Sequence, residues 1–413
     1  MRILHTSDWH IGRSFFGYDL HDAQQVFIDH IINVVREEGV DVLLISGDLY
    51  DRSLPSLASI DLMAYALSRL SKFTKVVITS GNHDSSRRLG FGKELFESAN
   101  VFIRTSVDDI TRPILLPLGN DQLAIYGIPY LDPYTTSSHL IEKQDSPTAR
   151  AVEHGEVLRA AIGRINLHRQ SVKANRTIVM SHAWFAGGEN SESEVNIGGL
   201  GQAPINLLQG FDYAALGHLH KPKVIDDHIR YSGSALPYSF SERDVEKLTY
   251  LIDLSPDRLD VRSIASPKYK DLVQIEDSME NLLRSNEYAG LENAFVKIKI
   301  TDERPPLNPK SILAARFGFI VELFTNSASL TPKNYEELRA MSPAQLVESF
   351  LKEVRTYGTN EWEAMQIANV LDRIEAGSPL IPGDPFLQNQ EDQECSHEDI
   401  SLQEVEEPKE DEA

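Results

Sequence analysis

The chain has 413 residues, 41% hydrophobic and 25% charged, with a formal net charge of −22. That length predicts two or three ordinary globular domains, and no apolar run approaches the roughly 20 residues of a membrane-spanning helix. A single cysteine, Cys395, excludes a disulfide framework, and the charge excludes nucleic-acid binding through bulk electrostatics, leaving local patches, bound metal or a partner.

In chain order, the first ~250 residues alternate apolar strands with helical patterns. "RILHTS" reads as a strand rather than a secretory signal, so a cytoplasmic protein is expected; it runs into "SDWH", which carries Asp8 and His10. A helix is predicted over Asp22–Glu38 from Val26, Phe27, Ile31, Val34 and Val35. "VDVLLISG" follows and ends in "GDLYD", with Asp48 and Asp51. A helix over Ser56–Leu70 leads to "KVVITSG" and its terminal "GNHD", with Asn82, His83 and Asp84. After the strand "QLAIYGIP" and a helix over Thr148–Leu167, "TIVMSH" ends in His182. "YAALGHLH" then closes the series with His218 and His220, which in an extended chain face the same side.

Past Ser255 the texture changes. A small mixed α/β domain is predicted within 266–335, and two short helices, Pro343–Thr356 and Glu361–Glu375, within 336–377. Ser342 and Gln345 have capping-box spacing before the first helix, and Gly377 is placed to end the second. From Gly383 on there are twelve acidic residues against Lys409 alone, so 378–413 reads as a disordered acidic tail.

Five apolar strands thus end in metal-ligating residue types, and strand C-termini line the ligand crevice of α/β sheets. Alone, His10 or His182 suits a packed core histidine, and "GDLYD" a turn with Asp48 as a helix cap. Together, Asp8, His10, Asp48, Asn82, His182, His218 and His220 exceed what one metal takes from protein, and two ions sharing a carboxylate fit the inventory. Imidazole with carboxylate and no thiolate suits Mn²⁺, Fe²⁺ or Zn²⁺, and such a pair can clamp a phosphate.

The series "DWH … GDLYDR … GNHD … SH … GHLH" resembles the calcineurin-like metallophosphoesterases over most of residues 1–240, and a nuclease domain of that kind is expected over 1–265. That resemblance implies a β-sandwich of two mixed sheets flanked by helices, an α+β fold with the metals at one edge. "HAWFAGGENSESE", "NIGGL" and "YSGSALPYSFSE" are similar to the SbcD family, the nuclease subunits of bacterial SbcC–SbcD complexes. On that likeness Asp8, His10, Asp48 and His220 hold one metal, and Asp48, Asn82, His182 and His218 the other. His83 assists the leaving oxygen, Asp51 orients His83, and Arg52, Arg87 and Arg88 are candidates for phosphate contact.

Further implications are Mn²⁺-dependent double-strand exonuclease and single-strand or hairpin endonuclease activity in DNA repair and recombination. A DNA-contacting cap would span 266–335, and helices within 336–377 would dock on the SbcC ATPase of a heterotetramer built on a homodimer. Some relatives carry histidine where this chain has Asp51, so roles given to that histidine do not transfer. A small-molecule metallophosphodiesterase and a catalytically inactive DNA-binding scaffold stay open as alternatives.

Overall fold

The computed structural model describes residues 1–141, 152–186, 202–303, 305–325, 341–355 and 358–375. The acidic tail, the "GENSESE … NIGGL" stretch, Gly377 and the end of the expected cap lie outside them. The chain divides into two units, Met1–Asn326 and Ser327–Ala413.

The first unit is built on two six-stranded sheets. One has the order β14 (Leu259–Ala265), β13 (Leu248–Leu254), β1 (Arg2–Thr6), β4 (Val42–Ser46), β5 (Lys75–Thr79), β6 (Val101–Arg104). Here β1, β4, β5 and β6 run parallel, and β13 and β14 are antiparallel additions. The other has the order β11 (Lys223–Asp226), β12 (Ile229–Tyr231), β10 (Tyr213–Gly217), β9 (Arg176–His182), β8 (Asp121–Ile128), β7 (Ile114–Leu118). Its four central strands are parallel and its two edges antiparallel.

Strand period explains the layering. Every residue of β4 is buried, because alternate side chains enter different cores. Val42 and Leu44 join Val77, Ile125, Ile178, Met180 and Ala215 between the sheets. Leu43 and Ile45 instead meet α1 (His21–Glu37) and α2 (Leu57–Leu70) through Phe27, Ile31, Leu62 and Leu70. On the far face Tyr126, Val179 and Leu216 pack against α6 (His154–Arg169) through Val157, Ala161, Ile162 and Ile165. The result is a helix–sheet–sheet–helix sandwich.

One helix departs from expectation. The apolar pattern puts Val26 on the buried face of α1, but it is 43% exposed, since at about 100° per residue it turns away while Ile28 and Ile32 fill the face. Among the described residues α6 begins at His154, where Glu153 and Glu156 close a capping box; Thr148, the expected start, lies outside the described residues. Shorter helices complete this part: α3 (Ser86–Leu89), α4 (Lys93–Glu97) and α5 (Pro133–Leu140).

β14 ends at Ala265, and a smaller layer follows with its own core. The parallel strands β15 (Leu272–Asp277), β16 (Phe295–Ile300) and β17 (Phe319–Thr325) pack Ile298, Ile300 and Ile320 against α7 (Met279–Arg284) and α8 (Pro309–Leu313). A hairpin, β2 (Ser14–Phe15) and β3 (Tyr18–Asp19), holds this layer to the sandwich. Phe15 and Tyr18 pack on Phe295, and the Tyr18 hydroxyl donates to the Ile320 carbonyl at 3.3 Å. In the second unit, α9 (Pro343–Arg355) carries the expected cap: Ser342 N–H donates to Gln345 Oε1 at 2.8 Å and Gln345 N–H to Ser342 Oγ at 3.3 Å. Asn360 and Glu363 cap α10 (Glu361–Glu375) in the same way. No helix among the described residues is long and apolar enough to cross a membrane.

Candidate metal centre

β1, β4 and β5 of one sheet and β9 and β10 of the other end at the same edge, and the loops beyond them are laced together. Asp8 N–H donates to the Gly47 carbonyl at 3.1 Å and His10 N–H to the Asp48 carbonyl at 3.0 Å. Asp8, His10, Asp48 and His218 all have positive φ, from 45° to 97°, a region that non-glycine residues rarely occupy. Gly47, at φ 85°, supplies the tight turn into Asp48 and leaves room for the His182 ring.

All seven expected ligands converge. His10 Nε2 lies 3.0 Å from His220 Nε2, and Asp8, His10 and His220 form one potential ligand cluster. Asp48 Oδ2 lies 3.6 Å from His10 Nε2 and 3.3 Å from His182 Nε2, so one carboxylate oxygen serves both sides. Asn82 Oδ1 is 2.9 Å from His182 Nε2 and 3.2 Å from His218 Nδ1. The Asp8 carboxylate also accepts the His218 amide, with both oxygens at 3.1 Å.

This donor set fits divalent cations. His182 Nδ1–H donates to the Ser46 carbonyl at 2.9 Å, which sets Nε2 against two lone-pair oxygens, so that a cation is needed between them, either a proton on Nε2 or a metal ion in its place. Asp8, His10, Asp48, His182 and His220 are at most 2% exposed and His218 is 8% exposed, so the crowded lone pairs have little water to satisfy them. The titration of the site reflects the same need for positive charge. Burial pushes His182 down, but Asp48 and then Asp8 outweigh it and raise it to about 9. Burial lowers His218 to about 3 and holds His10 and His220 below the ordinary histidine range. Burial pushes Asp8 up to about 7, whereas at Asp48 it is overcome by His182, His10 and His83, which keep that carboxyl well below the usual range.

His83 stands beside the cluster, half-buried, with its ring 4.7 Å from that of His10 and nearly perpendicular to it. Its amide donates to Asp48 Oδ1 at 2.8 Å. Its Nδ1–H donates to the backbone carbonyl of Asp51 at 2.8 Å, and a ring nitrogen of His83 lies close enough to His10 and Asp48 to form a third potential ligand cluster. The motif resemblance assigns this orientation to the Asp51 carboxylate, but the carboxylate points elsewhere: Oδ1 lies 3.4 Å from Arg13 Nη1 and 3.7 Å from His10 Nδ1. Arg52 is 81% exposed with Nε 3.7 Å from Asp51 Oδ2. Arg87 and Arg88 are exposed on α3, and Arg88 donates to the Ser53 carbonyl at 3.0 Å.

Of the supporting residues, Asp84 and Ser7 lie inside the motifs "GNHD" and "SDWH" without an assigned role, and Glu242 and Lys247 carry no spacing signal. Asp84 accepts from the amides of Leu49, Tyr50 and Gly81, at 3.0, 2.9 and 2.9 Å, and so stitches the two acidic loops together. Burial, and then Asp48, push its carboxyl up to about 6. Ser7 donates from its hydroxyl to Asp8. Glu242 and Lys247 stand behind His220. Burial works to raise the Glu242 carboxyl, yet Lys247 and then His220 hold it well below the ordinary range.

Residues 1–222 match the calcineurin-like phosphoesterase profile, and residues 268–355 match one described as the type 5 capsule protein repressor C-terminal domain. A curated relative, the SbcD component of the SbcCD nuclease of Staphylococcus saprophyticus, is 28% identical over 389 residues, 92% of this chain and all of that protein. Among solved structures, TT1561 of Thermus thermophilus is 14% identical with a TM-score of 0.36, covering 63% of this chain and 97% of its own. A dimetal phosphatase from Danio rerio is 13% identical with a TM-score of 0.39, covering 65% and 97% respectively.

Proposed function

Because the chain belongs to the calcineurin-like phosphoesterase family, we propose that it is the metal-dependent nuclease component of a DNA-processing complex. The observation that carries this reading is the single oxygen, Asp48 Oδ2, set between His10 and His182. Asp8, His10, Asp48 and His220 would hold one divalent ion, and Asp48, Asn82, His182 and His218 the second. When bound, the ions supply charge neutralisation at a phosphodiester and acidify water. Mn²⁺ is the metal we assign, with Fe²⁺ and Zn²⁺ as competitors of the same ligand preference.

The protein's own part is positioning and proton handling. His83, anchored through Nδ1–H to the Asp51 carbonyl, offers Nε2 to the scissile phosphate and gives a proton to the departing oxygen, work suited to an imidazole near neutral pH. Exposed Arg52, Arg87 and Arg88 would attract the phosphate backbone at the mouth. The Asp51 carboxylate acts on His10 and Arg13 rather than on His83.

Substrates would be duplex ends and single-stranded or hairpin DNA in repair and recombination, with cleavage governed by an SbcC ATPase. The 28% identity to a component of such a complex across 92% of the chain supports that partnership. So does the exposure of Phe350, Trp362 and Met365 on α9 and α10. The layer from Leu272 to Thr325 is the proposed cap, and a homodimer in the cytoplasm is the proposed assembly.

The test compares wild type with His83→Ala in Mn²⁺, with and without SbcC. It uses linear duplex, hairpin DNA and bis-p-nitrophenyl phosphate as substrates, and counts bound metal in both proteins. The expected result is DNA cleavage that falls by about 10²–10⁴-fold in the variant with metal retained. Cleavage of the small ester alone would make the protein a small-molecule phosphodiesterase, and no hydrolysis at all would leave a binding scaffold.

A further inference from the structure

His220 is braced from behind by a fully buried ion pair, an arrangement found at no other ligand among the described residues. Glu242 is 0% exposed and Lys247 7% exposed, and Lys247 Nζ donates to Glu242 Oε2 at 2.5 Å. The same Nζ donates to the His220 backbone carbonyl at 2.7 Å and to Ser234 Oγ at 2.8 Å. The Ser234 amide adds a second donor to that carbonyl at 3.0 Å. Glu242 Oε1 faces His220 Nδ1 across 3.9 Å and is itself fixed by the Ser239 hydroxyl at 2.9 Å. His220 is thus held at its backbone by a cation and faced at its inner ring edge by an anion, while its outer nitrogen is presented to His10.

The other histidines are supported differently. His182 is oriented by a neutral carbonyl. His10 Nδ1 faces Asp51 Oδ1 at 3.7 Å, and Arg13 Nη1 lies 3.4 Å from the same oxygen, but that pair is 16–17% exposed rather than sealed in the interior. Desolvating two charges is unfavourable when an apolar pair could fill the space, so stability alone does not explain the pair. Carboxylates behind metal-bound histidines fix ring orientation and raise ligand basicity.

We propose that Glu242 and Lys247 are positioning residues for His220 and set the affinity of one metal position, the one built on Asp8, His10 and His220, independently of the other. The proposal rests on the two-metal reading above. It separates the positions chemically: one has a buried charged brace behind His220, and the other a neutral carbonyl, Ser46, behind His182.

The test is calorimetric titration of the full metal-free chain with Mn²⁺, together with its melting temperature in chelator. Wild type is expected to bind two ions. Glu242→Gln, which keeps the shape and removes the charge, should weaken one of them about 10–100-fold and leave the other within about threefold. Lys247→Arg, which keeps the cation, should retain more of that affinity than Lys247→Met. If the buried lysine, deprived of its anion, prevents Glu242→Gln from folding, the neutral pair Glu242→Gln/Lys247→Met replaces it with the same expectation. A variant that folds and binds both ions like wild type, or weakens both equally, overturns the proposal. A wild type that binds fewer than two ions overturns the two-metal reading instead.

Discussion

Asp8, His10, Asp48 and His218 sit in backbone conformations that cost on the order of 1–3 kcal/mol each. Their surroundings hold them there, and the glycines of "SGD", "SGN" and "LGH" are part of those surroundings. A Cβ on Gly81 would fall on the Asp48 carboxylate and amide, and one on Gly217 on the Ser46 carbonyl. Gly81→Ala is therefore expected to displace Asp48 and weaken both metal positions together, with the loss read as Mn²⁺ bound per chain; unchanged stoichiometry and affinity would contradict the packing argument. At this scale the sequence was informative about residue types, since pairs such as Asp8 with His10 and His218 with His220 carry their chemistry in their spacing. Orientation was not legible. Whether Asp51 meets His83 through its carboxylate or its carbonyl depends on a loop conformation that no spacing reports, and Glu242 and Lys247 reach His220 only through the fold.

Between elements, charged ties hold the pieces that frame the site. Asp109, in the turn Val107–Thr111 after β6, accepts from Lys93 of α4 at 2.7 and 2.8 Å and from the amides of Thr105 and Ser106 at 3.0 Å each. Burial works to raise its carboxyl, but Lys93 and Ser106 outweigh burial and keep it below its ordinary 3.8. A carboxyl depressed in the folded state contributes stability above the unfolded pKa and loses it as the pH falls through the folded value. Asp109→Asn should therefore cost about 1.5–3 kcal/mol at pH 7 and progressively less as the pH is taken below the ordinary 3.8 and through the depressed folded value, measured by urea unfolding at pH 7 and in acid. An equal cost at both would contradict this. The elements themselves were legible where periodicity was long, as in α2, α9 and α10. The capping pair Glu153–Glu156 that opens α6 was not legible, because it lies inside an apolar pattern that also fits an earlier start.

Across the molecule, the same feature that made the strands recognisable hid their arrangement. β4 is apolar at every position but its last, Ser46, and buried throughout, and nothing local says that Val42 and Leu44 face a second sheet while Leu43 and Ile45 face helices. The order of the first sheet, with β13 beside β1, joins residues about 250 apart in the chain. The sandwich was expected from motif resemblance, and strand–helix alternation alone could not have shown it. The central claim is that this sandwich edge encloses two cations around Asp48. It is tested most directly by anomalous scattering from a crystal grown in Mn²⁺. Two peaks roughly 3.5–4 Å apart, flanking Asp48, with His220 at one and His218 at the other, are the predicted result. A single peak, or none within reach of Asp48, would contradict it.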